Sequence, residues 1–177
     1  MKKIWILLFS ILSATTLSAQ VKWMSFEEAV KAQEKEPKKI MIDVYTDWCG
    51  PCRMMDAQTF QDKKISEYIN KHYYPVKFNA ESPEPITFRG NTFENPNYDP
   101  NKSGRNGTHQ FTQAIAAVNG RIAYPTVVYM NEDFEILSPV QGFLRPPQIE
   151  PILKYFGGNH YKTIDWEQYQ KDFKSDL

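Results

Sequence analysis

Lys39–Tyr45 (KIMIDVY) runs directly into Thr-Asp-Trp-Cys-Gly-Pro-Cys, and this junction constrains the chain more than any other feature. The first seven residues are apolar and rich in branched side chains, as in a strand buried on both faces, and a single carboxylate, Asp43, interrupts them. Pro51 falls where the first turn of a helix tolerates proline. The segment is therefore a strand-to-helix turn with Cys49 at the helix N-terminus.

Cys49 and Cys52 are the only two cysteines in 177 residues, too few for a fold stapled by disulfides. Their spacing suits reaction better than support. Free N–H groups and the macrodipole at a helix N-terminus stabilise a thiolate on the first cysteine. The second lies one turn further on, within reach of a mixed disulfide formed on the first. Cys49 would be the nucleophile and Cys52 the resolving thiol. Three other readings carry less weight. A zinc site would need two more ligands, and the only histidines, His72, His109 and His160, are scattered through other elements. A structural disulfide closing so short a loop would add little stability. The same dithiol could also handle copper or heme.

The rest of the chain reads as one mixed α/β unit. Ser25 and Glu28 form a capping box that opens a helix running toward Pro37. A helix from Pro51 to about Thr59 and another capped by Asp62 precede a strand over 74–79. A helix across His109–Val118, a strand pair over 122–130 and 134–140, a helix ending at Gly157-Gly158 and a short helix around Trp166–Phe173 complete it. The early strand-helix-strand unit implies parallel pairing, and the final hairpin an antiparallel edge. Between the second strand and the helix at 109, residues 81–108 hold four prolines, five asparagines and three glycines without an apolar period. They read as a long loop or insertion. Its Asn101-Lys-Ser and Asn106-Gly-Thr match glycosylation sequons, a pattern that arises readily by chance.

Lys plus Arg and Asp plus Glu both total 21, so no basic surface for nucleic acid is indicated. Residues 1–19 read as a cleaved secretory signal: Lys2 and Lys3, an apolar run from Ile4 to Leu12, then Leu17-Ser18-Ala19 before a cut. The run is too short to span a bilayer, which takes roughly 20 residues. Loss of Lys2 and Lys3 leaves 21 acidic residues against two fewer basic ones, a mature charge of −2.

Ile40 through Arg53, with Trp48-Cys-Gly-Pro-Cys52 at its centre, resembles the central strand and active-site helix of the thioredoxin family. The resemblance extends from about Val21 to Gly157. It implies a thioredoxin fold: a mixed central sheet with flanking helices, here with a long insertion before the helix that leads to a cis-proline, and a short C-terminal helical extension. The implied domains are a signal at 1–19, a thioredoxin-like domain at 20–157 carrying the 81–108 insertion beside the active-site edge, and an extension at 158–177. Asp43 stands where the family has a buried carboxylate, which should have a raised pKa and exchange a proton with the resolving thiol. Lys77, in Val-Lys-Phe-Asn, would tune it. Tyr124-Pro125-Thr126 resembles the cis-proline loop, so Tyr124 and Pro125, with Trp48, Gly50 and Pro51, are the implied substrate-binding residues. Gly142 matches the glycine after the last strand. Two departures stand out. The helix after Cys52 lacks the family's proline kink, and Tyr45 replaces a second tryptophan as a supporting residue. The helix looks more like the branch holding secreted members and the C-terminal domain of the membrane electron-transfer reductase.

The expected activity is thiol–disulfide exchange, mainly reduction of protein disulfides, with oxidase, isomerase or a non-catalytic client- or metal-binding module as alternatives. The resemblance implies no cofactor or metal, disulfide-containing proteins as partners, a membrane thiol reductase as electron donor, and a bacterial periplasmic location. It implies no nucleic-acid partner and no stable membrane insertion after signal cleavage. The insertion, through Phe88, Phe93 and Tyr98, is expected to shape partner choice. His109 could approach the thiolate, though a capping or surface histidine is the favoured reading.

Overall fold

A computed structural model describes residues 20–177, and the expected signal segment lies outside them. Helix α1 (Phe26–Gln33) opens on the expected capping box: Ser25 accepts from the Glu28 N–H and Glu28 from the Ser25 N–H. It leads to strand β1 (Lys39–Tyr45), helix α2 (Gly50–Gln58), helix α3 (Lys63–His72) and strand β2 (Tyr73–Asn79). The insertion then carries two short strands, β3 (Ile86–Phe88) and β4 (Asn91–Phe93). Helix α4 (Gln110–Ala116), strands β5 (Thr126–Met130) and β6 (Ile136–Gln141), helix α5 (Pro146–Gly157), a 3-10 turn at His160–Lys162 and helix α6 (Trp166–Asp172) follow.

The main sheet has the order β2-β1-β5-β6. β1 pairs with β2 in parallel and with β5 antiparallel, and β6 closes the edge antiparallel to β5. Side chains alternate across a strand, so β1 serves two cores. Ile40, Ile42 and Val44 pack with Phe26, Val76, Phe78, Phe111 and Val128 on one face. Met41 packs with Met55, Phe60, Ile69, Tyr129 and Leu153 on the other. This double burial is why the strand reads as an almost continuous apolar run.

Three boundaries differ from the sequence reading. The insertion contains a β3–β4 hairpin, whose two-residue turn places Arg89 (φ 50°) and Gly90 (φ 77°) in the left-handed region. Such hairpins normally announce themselves through Asn-Gly or Asp-Gly, and Arg-Gly gives no such signal. β5 begins at Thr126 rather than Ile122, because a cis peptide at Tyr124–Pro125 precedes it. β6 begins after Phe134, which takes φ 63° in the turn that Asn131 organises through its side-chain oxygen.

The sheet gathers the chemistry at one edge. β1 and β2 end there and antiparallel β5 begins there, so the Cys49 turn, the start of the insertion and the Pro125 loop converge.

Candidate active site

Cys49 is the N-cap of α2, and its Sγ accepts the Cys52 N–H at 3.1 Å. Gly50 and Pro51 form the first turn, and Pro51, lacking an N–H, forfeits no helical hydrogen bond there. The two cysteines are joined as a disulfide across a Cα separation of 5.3 Å. Each is only 2% exposed, so exposure does not distinguish them. Their places in the helix do: Cys49 meets the free N–H groups, and Cys52 sits one turn inside.

Asp43 lies on the β1 face that also bears Met41, 1% exposed. The parallel register sets it opposite Lys77, and the Lys77 ammonium donates to Asp43 Oδ2 at 2.5 Å. The other oxygen, Oδ1, has no hydrogen-bond partner among the described residues. Burial pushes the Asp43 carboxyl up to about 6, with the attraction of Lys77 working against it. Lys77 also pairs with Asp56, one turn beyond Cys52 in α2, and its ammonium lies 4.9 Å from the Tyr45 ring centre, 5.1 Å from Trp23 and 5.7 Å from Phe60. Burial lowers the Lys77 pKa, but the two carboxylates outweigh it and hold the group above its usual value. Tyr45 thus covers the lysine that serves the buried carboxylate.

Trp48 lines a cleft of about 570 Å³ together with Cys49, Gly50 and Pro51. Its indole N–H donates to both oxygens of Glu81, 3.0 Å each. Tyr124 meets the ring edge-on at a centroid distance of 5.8 Å, and the Arg105 guanidinium lies 4.4 Å from the ring centre. One wall is the Pro125 loop, Ile122 to Tyr124, and the other is the end of the insertion, Arg105, Asn106 and Thr108. The Pro125 carbonyl accepts from the Gly142 N–H at 2.8 Å, and no hydrogen bond engages the Tyr124 backbone among the described residues. That edge is open to an extended chain.

The structure lines the cleft with Trp48, Cys49, Gly50, Pro51 and Tyr124 and joins Asp43, Lys77 and Tyr45 in a separate cluster, and it corrects the expectation for the insertion. Phe88 packs against Phe26 and Phe134, and Phe93 against Phe111, so both belong to the core beside α1. An apolar hairpin next to an open core face is buried by that face instead of being offered to partners. Phe88 and Phe93 are partly buried in this way, whereas Tyr98 is exposed, in an adjoining cleft. His109 is the fully buried N-cap of α4, its Nδ1 accepting the Phe111 N–H and its Nε2 lying 3.1 Å from the Glu84 carbonyl. It is a cap, not a surface residue, and has no place in the cleft. Asp56, Glu81 and Arg105 were not anticipated. Asp56 carried a usable signal, four residues after Cys52 on the same helix face. Glu81 and Arg105 carried none, since their places depend on how the insertion folds back. Among the described residues no cluster of three or more His, Cys, Asp or Glu is arranged to hold a metal ion.

Comparison with known proteins agrees with this geometry. The sequence model described as thioredoxin-like domain matches residues 26–157, more than half of the chain. Thioredoxin Y, chloroplastic, from Oryza sativa subsp. japonica is 30% identical over 102 residues, 58% of this chain and 58% of that protein. A thiol:disulfide interchange protein DsbD from Pseudoalteromonas atlantica is 31% identical over 45 residues, 25% of this chain and 8% of that protein. The chain therefore spans little more than half of the first relative and a small part of the second. A DsbH oxidoreductase structure aligns with a TM-score of 0.53 at 19% identity, covering 80% of this chain and 87% of its own. A putative disulphide-isomerase from Bacteroides thetaiotaomicron aligns at 0.52 and 24% identity, covering 78% and 93%. At such identities these structures speak for the fold.

Proposed function

The chain belongs to the thioredoxin-like domain family, and on that premise we propose that it reduces protein disulfides by dithiol exchange at Cys49 and Cys52. The observation that carries the reading is Cys49 at the cap of α2, in a cleft whose opposite wall is the open backbone edge of Tyr124. In the proposed cycle the Cys49 thiolate attacks a client sulfur, forming a mixed disulfide and expelling the client's second sulfur as a thiolate. Cys52, deprotonated, then attacks Cys49 Sγ. The Cys49–Cys52 disulfide forms and the client leaves with both sulfurs reduced and two electrons gained. Asp43, with a pKa near 6 and a bare buried oxygen, is suited to accept the Cys52 proton and release it again.

The reducing direction is supported by the Gly-Pro pair between the cysteines, which resembles thioredoxins of potential about −270 mV rather than a strong oxidant near −120 mV. A reductant outside the cytosol needs electrons delivered across the membrane, so a membrane thiol reductase is the proposed donor, and residues 1–19 are read as the export signal. Among the described residues no helix is long and apolar enough to cross a membrane. The proposed working unit is 20–157, with the 81–108 insertion beside the site and 158–177 as an extension.

The test is direct. The Cys49–Cys52 potential should lie below about −220 mV, Cys49→Ser should abolish insulin reduction, and Cys52→Ser should accumulate clients as mixed disulfides. A potential near −130 mV would instead favour an oxidase.

A further inference from the structure

The insertion delivers a cation to the reactive cleft. Arg105 is exposed, its guanidinium over the Trp48 ring, 4.4 Å from the ring centre, and no salt bridge engages it among the described residues. The one carboxylate lining the same cleft, Glu81, is 8% exposed and takes the Trp48 indole N–H on both oxygens. The other nearby acid, Asp47, lies in the adjoining cleft and accepts from Asn79 at 3.0 Å. In the cleft that holds Cys49, the negative charge of Glu81 is buried against Trp48, and the charged side chain exposed to a client is Arg105. A guanidinium held over an aromatic face by cation–π attraction keeps N–H donors available to a carboxylate.

We propose that Arg105 is a specificity-determining residue, and that it makes the Cys49 cleft select protein disulfides with an acidic side chain beside the attacked cysteine. The proposal rests on the thiol-exchange reading above. A client segment lying along Tyr124 has Arg105 on its other flank, across Trp48. An acidic neighbour gains a charge-assisted contact there, and a basic one meets like charge, so both attraction and repulsion serve the choice.

The experiment uses two peptides with the same intramolecular disulfide, differing only in glutamate or lysine beside the attacked cysteine. The pre-reduced protein should react at least fivefold faster with the glutamate peptide at low salt, and the gap should narrow at high salt. Arg105→Gln should bring the ratio close to one, and Arg105→Glu should invert it. A wild-type ratio near one overturns the proposal without any variant. So does a preference that survives Arg105→Glu, or a variant that slows both peptides equally, which would assign Arg105 to the thiolate and not to the client. Reaction with neither peptide would bring down the thiol-exchange reading itself.

Discussion

Asp43 is a charge in a place that disfavours charge, and its titration should dominate the pH behaviour of the site. Its folded pKa of about 6 exceeds the ordinary 3.8, so between those values the folded chain keeps a proton that the unfolded chain has released. The resulting stabilisation is complete below pH 3.8 and is lost as pH rises through about 6, a change of about 3 kcal/mol at about 1.4 kcal/mol per pH unit. Asp43→Asn should flatten that slope in the disulfide form and raise stability at pH 7 by a similar amount, as denaturant titration across pH would show. If Asp43→Asn keeps the wild-type slope, another group is responsible. Lys77→Gln removes the nearest attraction for the carboxylate, so the Asp43 inflection should move upward, followed by NMR titration of its carboxyl carbon. Asp43 was legible because one carboxylate in an apolar strand is conspicuous. Its lysine partner was legible through the family resemblance, but the second carboxylate on that lysine, Asp56, was not read, although it stands one turn after Cys52 on α2.

Among the elements, the insertion shows how far composition alone can mislead. Prolines and asparagines announced a loop, yet Ile86, Phe88 and Phe93 complete a core face, and the lobe beyond them is held by particular contacts. The Asn95 amide donates to the carbonyls of Ser82 and Gly107 and so clamps the two ends of the segment together. At Gly107 a Cβ would meet the Asn95 side-chain oxygen and the Asn97 carbonyl carbon at 2.5 Å, close enough to force backbone apart. Gly107→Ala should therefore cost about 1–3 kcal/mol and loosen the wall that carries Arg105, reducing discrimination between clients. Chemical denaturation and the peptide-rate ratio check the two effects separately. A variant with wild-type stability would show that the lobe yields easily. The Asn106 side chain is likewise spent, holding Asp99 and the Gly107 N–H, so one of the two sequons has a structural use of its own. The strands and helices around the site were readable because capping boxes, buried runs and Gly-Gly stops are local signals. The wall of the cleft was not, since it is built from contacts between distant segments.

At the scale of the molecule, the C-terminal segment fastens onto α5, away from the cleft. Glu150, 3% exposed, receives the Ser175 hydroxyl, the Asp176 N–H and the Lys154 ammonium, and Tyr155 packs against Trp166 and Tyr169. Ending the chain at Gly158 removes Trp166 and Tyr169, uncovers Tyr155 and leaves Glu150 with Lys154 alone. Its melting temperature should fall by several degrees while the Cys49–Cys52 potential stays the same, and a shifted potential would mean the tail reaches the site after all. The sheet order has a temporal consequence as well. β1, α2 and α3 lead into β2 through a comparatively short stretch of chain, whereas β1 must wait for β5, whose Met130 pairs with Ile40, and longer closures are expected later. A newly made chain should then possess its reactive turn before it possesses the walls that choose among clients. Pulsed thiol labelling during refolding should find an early interval in which Cys49 reacts freely and indiscriminately, ended by the docking of β5.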